Sequence, residues 1–159
     1  MASTDDVFDE YGSKLVRLLE DIHSHLPPGI ATLEARKTKD NHGTIVWLRP
    51  TNTNAAEFSA HTEDGLAVID VSFGKAGTTF ELPWDAKLPS DATFDTMSEA
   101  VREMCIAVIS GMCEDRQGYL GLRGTILLEG KRALRVTHFF YPSWHRSVLR
   151  YAPYHQSPG

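Results

Sequence analysis

"DGLAVIDVSFGKAGTTFELP", residues 64–83, decides how this chain is read. Asp64–Gly65 is a tight-turn signal. Ala67, Ile69, Val71 and Phe73 then recur at every second residue, which puts them on one face of a strand. "GKAG" turns the chain, and Phe80 and Leu82 alternate with Thr79 and Glu81 on the way back. So short a connection leaves no room for a crossover, so the two strands run antiparallel.

The same grammar extends upstream. "TIVWLR", residues 44–49, reads as a strand ending at Pro50, and "TNTN" as a turn. Residues 55–61 read as a weaker strand, and residues 30–43 as a short strand ending in a turn at Asn41–Gly43. Before this meander, residues 4–25 carry Val7, Tyr11, Leu15, Leu18 and Ile22 at helical spacing. Ser3 or Thr4 can cap that helix, and Pro27–Pro28 stop it.

Downstream, residues 94–115 form a second helix with the stripe Phe94, Met97, Val101, Met104, Val108 and Met112. "MCIAVI" is apolar almost all round, which predicts a central position, and Gly118 is expected to close the helix. "YLGLRGTILLE" and "RALRVTHFFY" flank "GK" as a hairpin, and "SVLRY" restarts as a short strand or one helical turn. The order is helix, strand meander, helix, hairpin, tail. It predicts a single α+β domain over residues 1–159. The layout is a two-layer sandwich of about six antiparallel strands with two helices on one face. Residues 142–159 form a less regular basic, aromatic tail. In outline this order resembles that of small acidic binding proteins such as secretion chaperones and toxin-immunity proteins.

Charge is segregated along the chain. All 21 acidic residues lie at or before Glu129, against 11 of the 16 Lys and Arg, a balance of −10. Residues 130–159 carry the other five basic residues and no acid. No stretch approaches the roughly 18 apolar residues of a membrane span. The acidic start "MASTDDVFDEYGSKL" lacks the basic region and apolar run of a signal peptide. Both features predict a cytoplasmic protein. Cys105 and Cys113 are expected on one helix, about 12 Å apart along its axis, too far to pair with each other.

Six constellations bear on chemistry. His138, Tyr141 and His145 could form an acid–base group at the mouth of a sheet–helix pocket, because imidazole titrates near neutrality. His23, His25 and His42 lack the converging third and fourth ligands of a metal site, so no metal and no cofactor are expected. Ser143 precedes His145 without the elbow of a hydrolase serine, and Cys113 is expected at a helix C-terminus, where the dipole raises a thiol pKa. No glycine loop of a phosphate-binding kind stands between a strand and a helix. Trp144, Arg146, Arg150, Tyr151 and Tyr154 could stack on bases, but the acidic body weighs against nucleic acid. The same five residues are the types that dominate protein interfaces, unless the tail packs over the open sheet face of its own chain.

These readings favour a small cytoplasmic, non-catalytic binding protein that meets a protein partner or a second copy of itself. Its surface would be the tail and the exposed sheet face, with Trp144, Tyr151 and Tyr154 as an exposed patch. The alternative is a small enzyme or ligand-binding protein using His138, Tyr141 and His145. That alternative requires a deep pocket holding at least two of these groups.

Overall fold

In the computed structural model, which describes residues 9–75, 78–118, 122–128, 134–138 and 145–155, Asp9 opens the first helix. Its carboxylate accepts the Gly12 N–H at 2.7 Å, so it caps α1 (Glu10–Ser24). Ser3, Thr4 and Val7 lie outside the described residues. Leu15, Leu19 and Ile22 point inward at helical spacing, with Leu18 and Tyr11 at their margin.

Five strands follow as a meander: β1 (Ala31–Lys37), β2 (Gly43–Pro50), β3 (Phe58–Glu63), β4 (Ile69–Phe73) and β5 (Thr78–Leu82). Each pairs antiparallel with the next, in the order β1-β2-β3-β4-β5. The alternation read from the sequence sets which face is dry. Val46 and Leu48, Phe58 and Ala60, Ile69, Val71 and Phe73, and Phe80 and Leu82 are all buried. Cross-strand pairs such as Ala60–Val71 and Val71–Phe80 keep this set in register.

The second helix, α2 (Phe94–Ile109), is capped by Thr93 and packs on the same face as α1. It ends earlier than the sequence suggests. Gly111 takes φ +74°, and Met112 N–H closes back onto Ala107 O at 2.8 Å. A left-handed glycine just past the last turn is a common helix stop, and it takes that role rather than Gly118. Cys113 therefore stands on a strand and not on the helix. Both cysteines are free thiols. "MCIAVI" is not dry all round either, because Ile106 is 49% exposed.

Past Gly111 the chain builds β6 (Cys113–Gly118), β7 (Leu122–Ile126), β8 (Leu134–His138) and β9 (His145–Arg150). These form a second antiparallel sheet in the order β8-β7-β6-β9. The α+β class with two helices against an antiparallel sheet is the observed one. The strands number nine among the described residues, in two sheets rather than about six in one. The cause is again the early helix stop, which frees residues 113–118 to pair on both sides. The tail reads as regular structure over 145–150, where it adds an edge strand beside β6.

After β9 the chain enters the core. Tyr151 O–H donates to Asp115 Oδ2 at 2.6 Å and accepts the Lys75 N–H at 2.7 Å. Tyr154 O–H donates to Leu48 O in β2 at 3.1 Å, and its N–H donates to Ile109 O at 2.8 Å. Tyr151 and Tyr154 are 6% and 3% exposed. Their phenol pKa values are pushed up, first by burial. The expected exposed patch therefore does not include these two rings, because each has a buried hydrogen-bond partner that draws it inward.

The close approach shows at Gly74, which has φ +74°. A Cβ there would stand 2.5 Å from Asp115 Oδ2 and 2.6 Å from the Tyr151 hydroxyl. Gly65 has φ +81° as well but open space around it. Gly74→Ala is expected to destabilise the fold by about 2–4 kcal/mol, combining left-handed strain with overpacking. Gly65→Ala should cost only the strain, about 1 kcal/mol. Urea unfolding of the two variants measures the difference. Equal losses would mean that the Tyr151–Asp115 contact does not constrain this turn.

Candidate functional site

The outward face of the second sheet collects basic residues that lie far apart in the sequence. Side chains alternate along a strand, and directly paired residues share a face. Cys113 and Asp115 of β6 face inward, so Glu114 and Arg116 face outward. Glu114 pairs with Thr125 of β7 and Arg150 of β9, and Thr125 pairs with Arg135 of β8. The next row runs Thr137, Arg123, Arg116, Val148. Arg146 has no partner in this ladder: it is the extra residue of a bulge, where Gln117 and Gly118 meet Ser147 and His145.

Register thus brings the positions of Arg116, Arg123, Arg135 and Arg150 to one face of the sheet. Glu114 is the single acid among the paired strand positions of that face. Its side chain is only 13% exposed, and it meets Arg116 at 2.6 Å and Arg150 Nε at 3.7 Å. Thr125 beside it is buried. At the rim Arg150 is open to solvent, and Leu127 and Val148 are each 43% exposed. The surface is a basic plate with an acidic centre and a few apolar side chains.

The outer face of the first sheet is a second polar surface. Trp47 lies between two guanidinium groups, Arg36 at 4.6 Å and Arg49 at 5.2 Å from its ring centroid. Arg49 is also held by Glu34 and, at 3.0 Å, by Glu57. His61 Nδ1 lies 3.7 Å from Asp70 Oδ2 on the same face. By register this face carries Glu34, Glu63, Asp70 and Glu81 against Arg36 and Arg49, so stacking and ion pairs lie within a face where acids outnumber the arginines.

The sequence candidates fall into three groups. Arg150 belongs to the basic plate, and Arg146 is the unpaired residue of the bulge in β9. Tyr151 and Tyr154 belong to the core. Trp144 and Tyr141 lie outside the described residues, as does Ser143. His138 and His145 occupy β8 and β9, the two opposite edges of the second sheet. Three strand spacings, about 14 Å, separate those edges, so the two positions do not converge on one site.

An open cleft of about 390 Å³ lies elsewhere, lined by Asp9, Glu10, Tyr11, Gly65, Leu66 and Ala67. It contains none of the three pocket candidates. Among the described residues no group of three or more His, Cys, Asp or Glu side chains is placed to hold a metal. His23 Nε2 instead meets Ala31 O at 3.1 Å, and His25 Nδ1 meets Asp21 O at 2.7 Å. Cys113 is not an activated thiol. Burial and the nearby Asp115 and Glu114 carboxylates push its pKa up to about 12. Among the described residues no helix is long and apolar enough to cross a membrane.

Sequence reasoning singled out Arg146 and Arg150 but missed Arg116, Arg123 and Arg135. Their signal is period-two placement on three strands, and it needs the pairing register to be seen. Comparison with protein-family models, with curated proteins and with solved structures finds no match for this chain.

Two measurements follow from these surfaces. Glu114→Gln removes the one carboxylate among the paired strand positions of the plate. A partly buried pair stands between the exposed and fully buried cases, so a loss of about 1–2 kcal/mol is expected. Added salt should return part of it by screening the arginines, as read from urea unfolding at low and high ionic strength. On the other sheet, the Asp70 carboxylate holds the pKa of His61 above its ordinary value, against the opposing effect of burial. The folded chain then binds that proton more tightly than the unfolded one. The stabilisation is full below the unfolded value near 6.5 and is lost as pH rises through the folded value. NMR titration should give a His61 midpoint above 6.5 that falls in Asp70→Asn.

Proposed function

We propose that this chain is a small non-catalytic binding domain that holds an acidic protein partner on the basic plate of its second sheet. The observation that carries this reading is the register-aligned set of positions Arg116, Arg123, Arg135 and Arg150 around Glu114. Arginine binds carboxylates through a planar fork and holds less water than lysine, which suits it to protein interfaces. The apolar side chains at the rim, Leu127 and Val148, supply area that a purely electrostatic surface would lack.

The rest of the molecule argues for a partner of limited extent. The chain carries −5 overall despite this plate. A long polyanion would leave the plate and meet a negative body, whereas a carboxylate-bearing protein segment need not. A cytoplasmic setting fits the two free cysteines, both buried.

Binding of a fluorescent glutamate-rich peptide tests the reading. Wild-type affinity should fall with rising salt. The double charge reversal Arg135→Glu with Arg150→Glu should weaken binding at least about tenfold. An oligonucleotide of equal charge should bind more weakly than the peptide. Unchanged binding by the double reversal would overturn the assignment of the plate. Tighter binding of the oligonucleotide would transfer it to nucleic acid.

A further inference from the structure

Strand β1 is the outer edge of the first sheet, and its bonds tell which backbone groups face away from β2. Thr38 N–H donates to Gly43 O at 3.0 Å, and Thr51 N–H donates to Ile30 O at 2.9 Å. Both pairs continue the register of β1 with β2. Hydrogen-bonded and non-bonded pairs alternate in an antiparallel ladder, so the even residues of β1 bond to β2. The N–H and C=O groups of Ala31, Leu33, Ala35 and Lys37 therefore point off the sheet. His23 Nε2 lies 3.1 Å from Ala31 O and occupies that end of the edge. Among the described residues no strand pairs with the outward side at Leu33, Ala35 or Lys37. The edge lacks the usual interruptions of proline, glycine or a bulge. All seven residues of β1 pair with β2 in unbroken register.

A row of open backbone donors and acceptors is a template for another strand. A two-fold axis perpendicular to the sheet sets β1 of one copy antiparallel to β1 of a second. Outward residues must then meet outward residues, which leaves few registers. A ladder centred on Ala35 sets Leu33 of each copy opposite Lys37 of the other, and uses only the open positions. On the solvent face it sets Glu34 of each copy opposite Arg36 of the other. Opposite charges so placed stabilise a strand pair, and like charges destabilise it. The neighbouring registers fail on these grounds. Centring on Glu34 sets two glutamates together and requires Ala31, whose carbonyl is occupied. Centring on Arg36 sets two arginines together. Centring on Leu33 again requires Ala31 and gives Arg36 no acid. Among the described residues Arg36 stacks on Trp47 at 4.6 Å and makes no ion pair. Glu34 meets Arg49 through Oε2 and is 47% exposed. On the inner face Lys37 Nζ is held by Asp64 at 3.2 Å, so its charge is matched where it stands opposite Leu33.

We infer that β1 pairs with β1 of a second copy of this chain, joining two first sheets into one about a two-fold axis at Ala35. Main-chain hydrogen bonds at Leu33, Ala35 and Lys37 hold the pair, and Glu34 with Arg36 fixes its register. A foreign strand would have to supply an arginine and a glutamate two residues apart in the right order. A second copy supplies them by construction. This inference is independent of the acidic-partner reading, because the basic plate belongs to the other sheet.

Sedimentation of the full chain over a concentration series is the test, and a dimer that dissociates on dilution is expected. Ala35→Pro removes an outward N–H and no bond to β2, a placement that edge strands tolerate. It should raise the dimer dissociation constant at least about tenfold while circular dichroism stays unchanged. Glu34→Arg alone, or Arg36→Glu alone, sets like charges opposite one another in both cross-strand pairs. Each should weaken the dimer by a similar factor. Mixing these two variants restores opposite charges in both pairs, so a mixed dimer should form. Arg135→Glu with Arg150→Glu should leave the dimer unchanged. Should Ala35→Pro fail to fold, the mixture of charge variants decides the matter alone. A chain that stays monomeric at millimolar concentration overturns the proposal. A dimer that folded Ala35→Pro leaves intact, that the mixture does not restore, or that the plate reversal dissociates overturns it equally. A dimer that behaves as expected while the glutamate-rich peptide fails to bind overturns the acidic-partner reading and leaves this proposal standing.

Discussion

The hydroxyls of Tyr151 and Tyr154 are the points on which the two halves of this molecule depend. Tyr151 fastens the second sheet, through Asp115, to the turn after β4, through Lys75. Tyr154 reaches β2 through Leu48 O and the end of α2 through Ile109 O. Two glycines make the passage possible. Gly74 admits the Tyr151–Asp115 pair, and Gly111 admits the backbone at Pro153, which would lie 2.6 Å from a Cβ. Both glycines have φ +74°, so turn conformation and close approach are satisfied by the same residue. A few hydrogen bonds could not hold two sheets together in water. Here they are buried beside the packed side chains of Met104, Val108 and Phe58, where an unmade bond would be expensive.

The first sheet was legible in the sequence because one signal controls it. Alternation in 66–83 and 44–49 marks the buried face, and short polar connections force antiparallel pairing. The end of α2 was harder. The apolar run from Met104 to Met112 keeps helical spacing past the true stop, and the stop depends on a single left-handed glycine. Propensity favours helix through Met112, yet residues 113–118 gain two strand partners by leaving it. Tertiary pairing outweighs local preference there. The tail defeated a local reading for a related reason. "RYAPY" looks like an interface motif, because tyrosine and arginine serve cores and surfaces alike. Only the partners, Asp115 and Leu48 O, settle its place.

The basic plate lay beyond local reading altogether. Its arginines span positions 116 to 150 and never form a run. Arg116 and Arg123 sit amid mixed residues, and nothing in their neighbours marks them as a pair until β6 and β7 are aligned. Antiparallel register converts dispersed positions into rows, which is how a sheet builds a charged surface from a sequence of ordinary composition. Glu114 sits where the rows would repel most strongly. Its carboxylate lowers the cost of gathering like charges, while Arg150 at the rim stays open to solvent.

Strand β9 joins the two themes. Within β9, Val148 and Arg150 look outward. Tyr151 then turns in to Asp115, and Tyr154 follows it into the core. The segment that carries the outward charge is therefore fixed at its far end by buried phenols. An edge strand held only by its ladder to β6 would fray and lose its alignment. The tyrosine anchors limit that motion, so Arg150 and Val148 keep their backbone groups aimed off the sheet. Anchoring of this kind limits the conformational freedom of the exposed backbone at Val148 and Arg150. The aromatic residues of the tail thus fix the far end of the edge strand from within the core.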